Sequence, residues 1–224
     1  MTFSIAARCT RSGQFGIAIS SSSPAVAARC AHVRAGVGAV CSQNITDPRL
    51  GPAALDLMAL GASAQAALDV LAADRAHIGF RQLTAIDAEG RAAFFSGANI
   101  LGTHAASAGR DCVAAGNMLA DIGVPAAMVA AFEREGGELG ARLMAALSAG
   151  LEAGGEAGPV RSAGLLIAGA AAWPMTDLRV DWDETDPVLR LGTLWALWAP
   201  QAAAYVTRAL DPTEAPSYGV PGDP

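Results

Sequence analysis

The sequence predicts an α+β fold, a four-layer αββα sandwich in which two stacked antiparallel sheets are flanked by helices. Three observations carry this. Strand-like segments come first and in hairpins, helical segments follow in pairs, and strands return before a last helix. That order differs from the strict strand–helix alternation of a doubly wound sheet. Turn residues join neighbouring strands, with Gly13 inside 10–14 and Ala88-Glu89-Gly90 between 81–87 and 91–96. The length of 224 residues, 52% of them apolar, suits one domain, expected over 1–210. The Pro- and Gly-rich tail at 211–224 is expected to be disordered.

The elements follow in order. Residues 3–7 and 15–21 read as strands on either side of the Gly13 turn, and 20–24 ends the second. Residues 35–43 form a third strand whose glycines allow close approach of a neighbour. A polar loop, 44–52, leads to Pro52, which suits the first turn of a helix running to about Leu60. Ser63 caps the next helix, with Ala67, Leu68, Leu71 and Ala72 on one face. The 81–87 and 91–96 hairpin comes next, then a short strand ending at Gly116-Asn117. Helices at 124–134 and 138–149 show Leu, Met and Phe at helical spacing. A Gly-rich loop, 154–159, precedes strands at 162–171 and 177–182. Asp186-Pro187 opens a C-terminal helix. Its Leu191, Leu194, Trp195, Leu197 and Trp198, with Tyr205, exceed what one core-facing stripe needs, so a homodimer or larger assembly is expected.

Composition narrows the function. All 15 basic residues are Arg, with no Lys, which excludes a Schiff-base lysine. Net charge is −6 without a basic patch, which argues against nucleic acid as a partner. No apolar run is long enough for a membrane span, and the first twenty residues lack a signal-peptide pattern, so a cytoplasmic location is expected. The four cysteines (Cys9, Cys30, Cys41, Cys112) lack zinc-site spacing and read as buried thiols in a reducing compartment. His32, His77 and His104 have no ligand spacing either. The acids 181–186 read as a solvated loop. No metal or cofactor is expected, and the partner is a small-molecule substrate.

Chemistry is sought first at Thr2. Aminopeptidase removes an initiator Met before a small side chain, so a free Thr2 amine is expected. Such a residue carries nucleophile and base together: its hydroxyl attacks, and an α-amine of pKa about 7.7–8.0 takes the proton. The plain alternative is an ordinary strand residue after a start codon. Gln43 and Asn44, at the end of the Gly-rich strand, could donate amide N–H groups to an oxyanion. Asn117 after Gly116 is a second candidate for substrate, or else a turn residue with positive φ. Arg49 and Arg81 could bind a substrate carboxylate bidentately, or pair with Asp47 or Asp87. Ser4 lacks an amine of its own, and Cys41 has no visible base.

The segments Thr2-Phe3-Ser4-Ile5, Ala35-Gly36-Val37-Gly38-Ala39-Val40 with Ser42-Gln43, Pro48-Arg49-Leu50-Gly51-Pro52, Arg81-Gln82, Gly116-Asn117, 143–150 and Arg161-Ser162-Ala163 together resemble the bacterial domain-of-unknown-function family 1028. They do so in unbroken order from Thr2 to about Pro187. That family is placed in the N-terminal nucleophile (Ntn) hydrolase superfamily. The resemblance implies an Ntn-hydrolase-like αββα fold and suggests an amidohydrolase acting on an amide, lactam or ureido bond. A non-catalytic binding or assembly protein of that fold is the alternative. The chain departs from the family at Ala115, where Gln is common, and in the loop 154–161. By comparison with related threonine hydrolases, Ser20 falls where a polar residue orients the amine. Arg34 falls near their Lys; it cannot accept a proton, but its charge would lower the amine's pKa.

Overall fold

A computed structural model of the chain describes residues 1–219. Its strands are β1 (Thr2–Arg8), β2 (Phe15–Ser21), β3 (Ala31–Arg34), β4 (Gly38–Asn44), β5 (Arg81–Asp87), β6 (Ala92–Ser96), β7 (Ala105–Gly109), β8 (Cys112–Asn117), β9 (Ser162–Ala168) and β10 (Pro174–Val180). Its helices are α1 (Ala27–Cys30), α2 (Leu50–Ala59), α3 (Ala64–Asp74), α4 (Val124–Arg134), α5 (Leu139–Glu152), α6 (Pro187–Trp198) and α7 (Ala202–Leu210). One antiparallel sheet has the order β10-β9-β2-β1-β8-β7 and the other β3-β4-β5-β6. The fold is α+β, as expected.

Strand alternation builds the layers. Side chains of a strand point to opposite faces in turn. Phe3, Ile5 and Ala7 of β1 therefore share one core with Met128 and Phe132 of α4 and Leu143 and Leu147 of α5. Ala6, on the other face, joins Ile17, Ile19, Val113, Cys41 and Ile86 in a second core between the sheets. Val40, Leu83 and Ala85 face outward from the smaller sheet onto Leu55 and Met58 of α2 and Leu68 and Leu71 of α3 in a third. Three cores between four layers make the αββα sandwich.

Several elements differ from the sequence reading. β3, β7 and α1 are short and were not expected, because four or five residues give too little periodicity. The C-terminal helix is broken into α6 and α7 around Pro200, which has no N–H to continue the ladder. Leu191 is buried, Leu194 and Trp195 pack on the first core, and Trp198 donates its indole N–H to Thr176 and stacks on Tyr205. Leu189 and Leu197 point to solvent. Of the tail expected to be disordered, 211–219 carries a 3-10 turn, Pro212–Glu214, and Tyr218 packs under Arg208; residues 220–224 lie outside the described residues. Among the described residues no helix is long and apolar enough to cross a membrane, and all four cysteines are free and buried.

Asp87 ties the smaller sheet to its helix layer. Its carboxylate accepts from the Ala64 N–H at the start of α3 (2.9 Å), from the Glu89 and Arg91 N–H groups of the hairpin turn (3.1 and 2.9 Å), and from the Arg91 guanidinium (2.8 Å). Burial pushes this carboxyl up, but the bonds from Ala64 and Arg91 prevail and hold it below its ordinary value. Asp87→Ala should cost about 3 kcal/mol in urea denaturation, since it leaves buried donors unpaired. The depressed value also sets a sign. The stabilisation from Asp87 is complete above the unfolded carboxyl's pKa of about 4 and declines as pH falls through the lower folded-state value. The Asp87→Ala protein should therefore lose less stability than wild type between neutral pH and pH about 3.

Candidate active site at the head of the first strand

The face of β1 turned toward the smaller sheet is polar at its beginning. Thr2 and Ser4 alternate with Phe3 and Ile5, so both hydroxyls enter the space between the sheets. Thr2 stands opposite Asn117 in the β1–β8 ladder. In the β1–β2 ladder Phe3 pairs with Ser20, so the residue level with Thr2 is Ser21.

Two polar groups meet here. The inner one spans the sheets. The Ser4 hydroxyl donates to Gln43 Oε1 at 2.7 Å, and Gln43 Nε2 donates to Gln82 Oε1 at 2.9 Å. Asn117 Nδ2 donates to the same Gln82 oxygen at 3.2 Å, and Gln82 Nε2 donates to the Gly116 carbonyl at 3.1 Å. Ser4, Gln43, Gln82 and Asn117 are all fully buried. Asn117 Oδ1 alone in this group has no partner. Because its amide N–H groups face the Gln82 oxygen, a flip would set oxygen against oxygen, and the orphaned acceptor is fixed beside Thr2.

The outer group surrounds the Thr2 hydroxyl. Thr2 Oγ1 donates to the Met1 carbonyl and lies 3.4 Å from Ser21 Oγ. Ser21 Oγ donates to the same carbonyl at 2.5 Å and lies 2.9 Å from Ser23 Oγ. Arg29 Nη2 donates to Ser23 Oγ at 2.5 Å. Glu156 closes the mouth: both its oxygens accept the Ser22 N–H, at 3.1 and 3.0 Å, and its backbone bridges to Leu119 beyond the end of β8. Burial pushes the Glu156 carboxyl up to about 7, against the opposing pull of the chain's terminal amine.

The residues singled out in the sequence divide accordingly. The structure brings Thr2, Gln43 and Asn117 together. Ser20 is displaced by the pleat: it sits on the helix-facing side with Phe3, and its hydroxyl donates to the Ser162 carbonyl at 3.0 Å. Ser21 stands where Ser20 was expected. Arg34 pairs with Gly38 at the start of β4, the end opposite Asn44, about 20 Å away at roughly 3.3 Å per residue. There it forms an exposed ion pair with Asp56. The guanidinium connected to Thr2, through Ser23 and Ser21, is that of Arg29.

Asn44 reaches the right end of the sandwich but is engaged in structure. It takes φ 72°, donates to the Phe80 carbonyl at 2.8 Å and accepts the Leu101 N–H. Arg49 is exposed and bidentate on Asp47, whose carboxyl it holds down at about 2. Arg81 donates to the Ile45 carbonyl, not to Asp87. Cys41 is excluded as a nucleophile, because burial pushes its thiol up to about 12. Among the described residues no three His, Cys, Asp or Glu side chains gather as for a metal ion.

Sequence reasoning missed Ser21, Gln82, Arg29 and Glu156. The first was within reach, since Ser21 has the same strand parity as Thr2 once Phe3 is paired with Ser20. Glu156 gave no signal beyond a glycine-rich loop.

Fold and site together define an αββα sandwich with a threonine hydroxyl at the head of a central strand, in a polar mouth between the sheets. The chain belongs to the family of unknown function DUF1028, which residues 2–191 match. The crystal structure of protein SPO2555 from Silicibacter pomeroyi, of the same family, is similar at 28% identity and a TM-score of 0.82, over 88% of this chain and 89% of that one. Anbu (ancestral beta-subunit) from Yersinia bercovieri aligns over 91% of this chain and 97% of its own at 12% identity, with a TM-score of 0.40, too loose to carry an argument. No curated protein matches.

The inner network has a measurable consequence. Gln82→Met leaves the Gln43 and Asn117 amides facing an apolar side chain and should cost about 2–4 kcal/mol in chemical denaturation. Arg34→Ala, at the far end of β4, should change stability by no more than about 0.5 kcal/mol.

Proposed function

We propose that this chain is an Ntn-type amidohydrolase that cleaves a C–N bond (amide, lactam or ureido) of a small metabolite with Thr2 as nucleophile. The observation that carries the reading is the place of Thr2. It is the first residue of a strand buried on both faces, its hydroxyl is ringed by Ser21 and Ser23, and an unpartnered acceptor, Asn117 Oδ1, lies beside it.

The mechanism begins by cutting the bond between Met1 and Thr2. That frees the α-amine and removes the carbonyl on which both the Thr2 and Ser21 hydroxyls are spent. Thr2 Oγ then attacks the substrate carbonyl carbon while the amine takes the hydroxyl proton, directly or through one water. The tetrahedral oxyanion collapses, the leaving nitrogen receives that proton, and water resolves the acyl ester. Ser21 takes the orienting role, with Arg29 holding Ser23 and Ser23 holding Ser21. Asn117 Oδ1 suits an N–H donor, either of the freed amine or of the substrate. The positive charge nearest the site on this path is Arg29, so Arg34 has no part in the chemistry.

One fact favours a second reading, a non-catalytic protein of the same fold: Thr2 is only 4% exposed beneath Met1. Intact mass decides between the two. Loss of Met1 supports the enzyme, and quantitative retention supports the binder. Against a panel of small amides, lactams and ureido acids, Thr2→Ala should abolish turnover while keeping the fold, and Thr2→Ser should retain part of it. Ser21→Ala should lower kcat/KM by about 10-fold or more, whereas Ser20→Ala should leave it within about twofold. Wild-type turnover by Thr2→Ala would remove Thr2 from the chemistry.

A further inference from the structure

The reading of Thr2 leaves one buried ionisable group unused. Glu156 is 5% exposed, and its only hydrogen-bond donor is a single backbone N–H, that of Ser22, shared between both carboxylate oxygens. A carboxylate has room for about four hydrogen bonds. One so buried, with one donor, lacks a counter-charge unless a cation lies close.

The surrounding charges are engaged elsewhere. Arg29 donates to Ser23 and to the Pro24 and Ala25 carbonyls, Arg161 to the Glu184 carbonyl, and the Asp121 carboxylate accepts the Gly123 N–H. The remaining cation at this mouth is the chain's terminal amine. Met1 lies between the two walls that hold Glu156. Its carbonyl is bound by Ser21, the neighbour of Ser22, and its Cε lies 3.4 Å from where a Cβ on Gly158 would stand, two residues beyond Glu156. The Ala157 N–H donates to the Met118 carbonyl at 2.9 Å, fixing this loop against the end of β8.

We propose that Glu156 is the positioning residue for the α-amino group, its carboxylate serving as the counter-ion that holds the ammonium at the head of β1. Once the bond before Thr2 is cut, the same carboxylate faces the new amine one residue further in. It then holds that amine beside the Thr2 hydroxyl, and this catalytic meaning rests on the reading of Thr2 as nucleophile. The pairing itself does not. The burial that raises the carboxyl and the amine that lowers it both follow from this placement.

The chain contains no Lys, so its α-amine can be acylated selectively and without side reaction at another amine. The test is carbon NMR titration of the Glu156 carboxyl in the full-length protein, before and after N-terminal acetylation, with intact mass identifying the residue that carries the acetyl group. Acetylation removes the positive charge and should raise the Glu156 midpoint by about half a pH unit or more, while that of Glu152, exposed at the end of α5, stays put. In the reciprocal arm, Glu156→Gln should speed acylation of the amine at pH 7 by about threefold or more, and Glu152→Gln should leave the rate unchanged. A Glu156 midpoint that ignores acetylation overturns the proposal, and does so in wild-type protein even if Glu156→Gln fails to fold. The outcome is separable from the hydrolase reading, because Thr2→Ala protein should show the same Glu156 shift whether or not Thr2 supports turnover.

Discussion

The structure depends on one strand being buried on both faces with opposite chemistry on each. β1 gives Phe3, Ile5 and Ala7 to the helices and Thr2, Ser4 and Ala6 to the opposing sheet. A slip of one residue would put Phe3 into the polar mouth and Thr2 against α4 and α5. The apolar face therefore fixes the register, and the register fixes where every hydroxyl at the head of the strand points. Burying a Phe or Ile side chain stabilises by about 1.5–3 kcal/mol, while a surface-facing hydroxyl contributes almost nothing. The hydrophobic face sets the position of the polar one.

The mouth has an inner and an outer part with different physics. Inside, Ser4, Gln43, Gln82 and Asn117 form an uncharged network, in which each amide's donors and acceptors are used except Asn117 Oδ1. Such a network is costly to leave half paired and rigidifies the facing sheets when complete. Outside, Ser21, Ser23, Arg29 and Glu156 come from a strand end, a loop, a short helix and a glycine-rich loop. These segments can be rearranged without disturbing the cores. Rigid scaffold beneath and adaptable loops above is the arrangement in which a common fold acquires different chemistries.

Several arginines that looked suited to substrate serve the scaffold. Arg49 pairs with Asp47 two residues away, Arg81 caps the loop after β4, and Arg91 neutralises the buried Asp87. In a chain without Lys, every cation that closes a turn or pairs an acid must be Arg. Its planar fork suits short-range bidentate contacts of this kind.

The sequence by itself determined the class of fold, the position of Thr2 at the start of a strand, and the hairpin and helix-pair order, because these rest on local periodicity and turn chemistry. It also placed Gln43 and Asn117 at strand ends on the site side. Tertiary structure alone decided which partners surround Thr2. Ser21 replaces Ser20 because pairing Phe3 with Ser20 sets the parity. Arg34 falls away because β3 runs to the far end of β4. Arg29 and Glu156 arrive from segments 27 and 154 residues along the chain from Thr2, brought in by sheet stacking and loop closure. A residue's neighbours along the chain fix its secondary structure. Its neighbours across a sandwich are fixed by the register of strands that the sequence places far apart, and no local pattern carries that information.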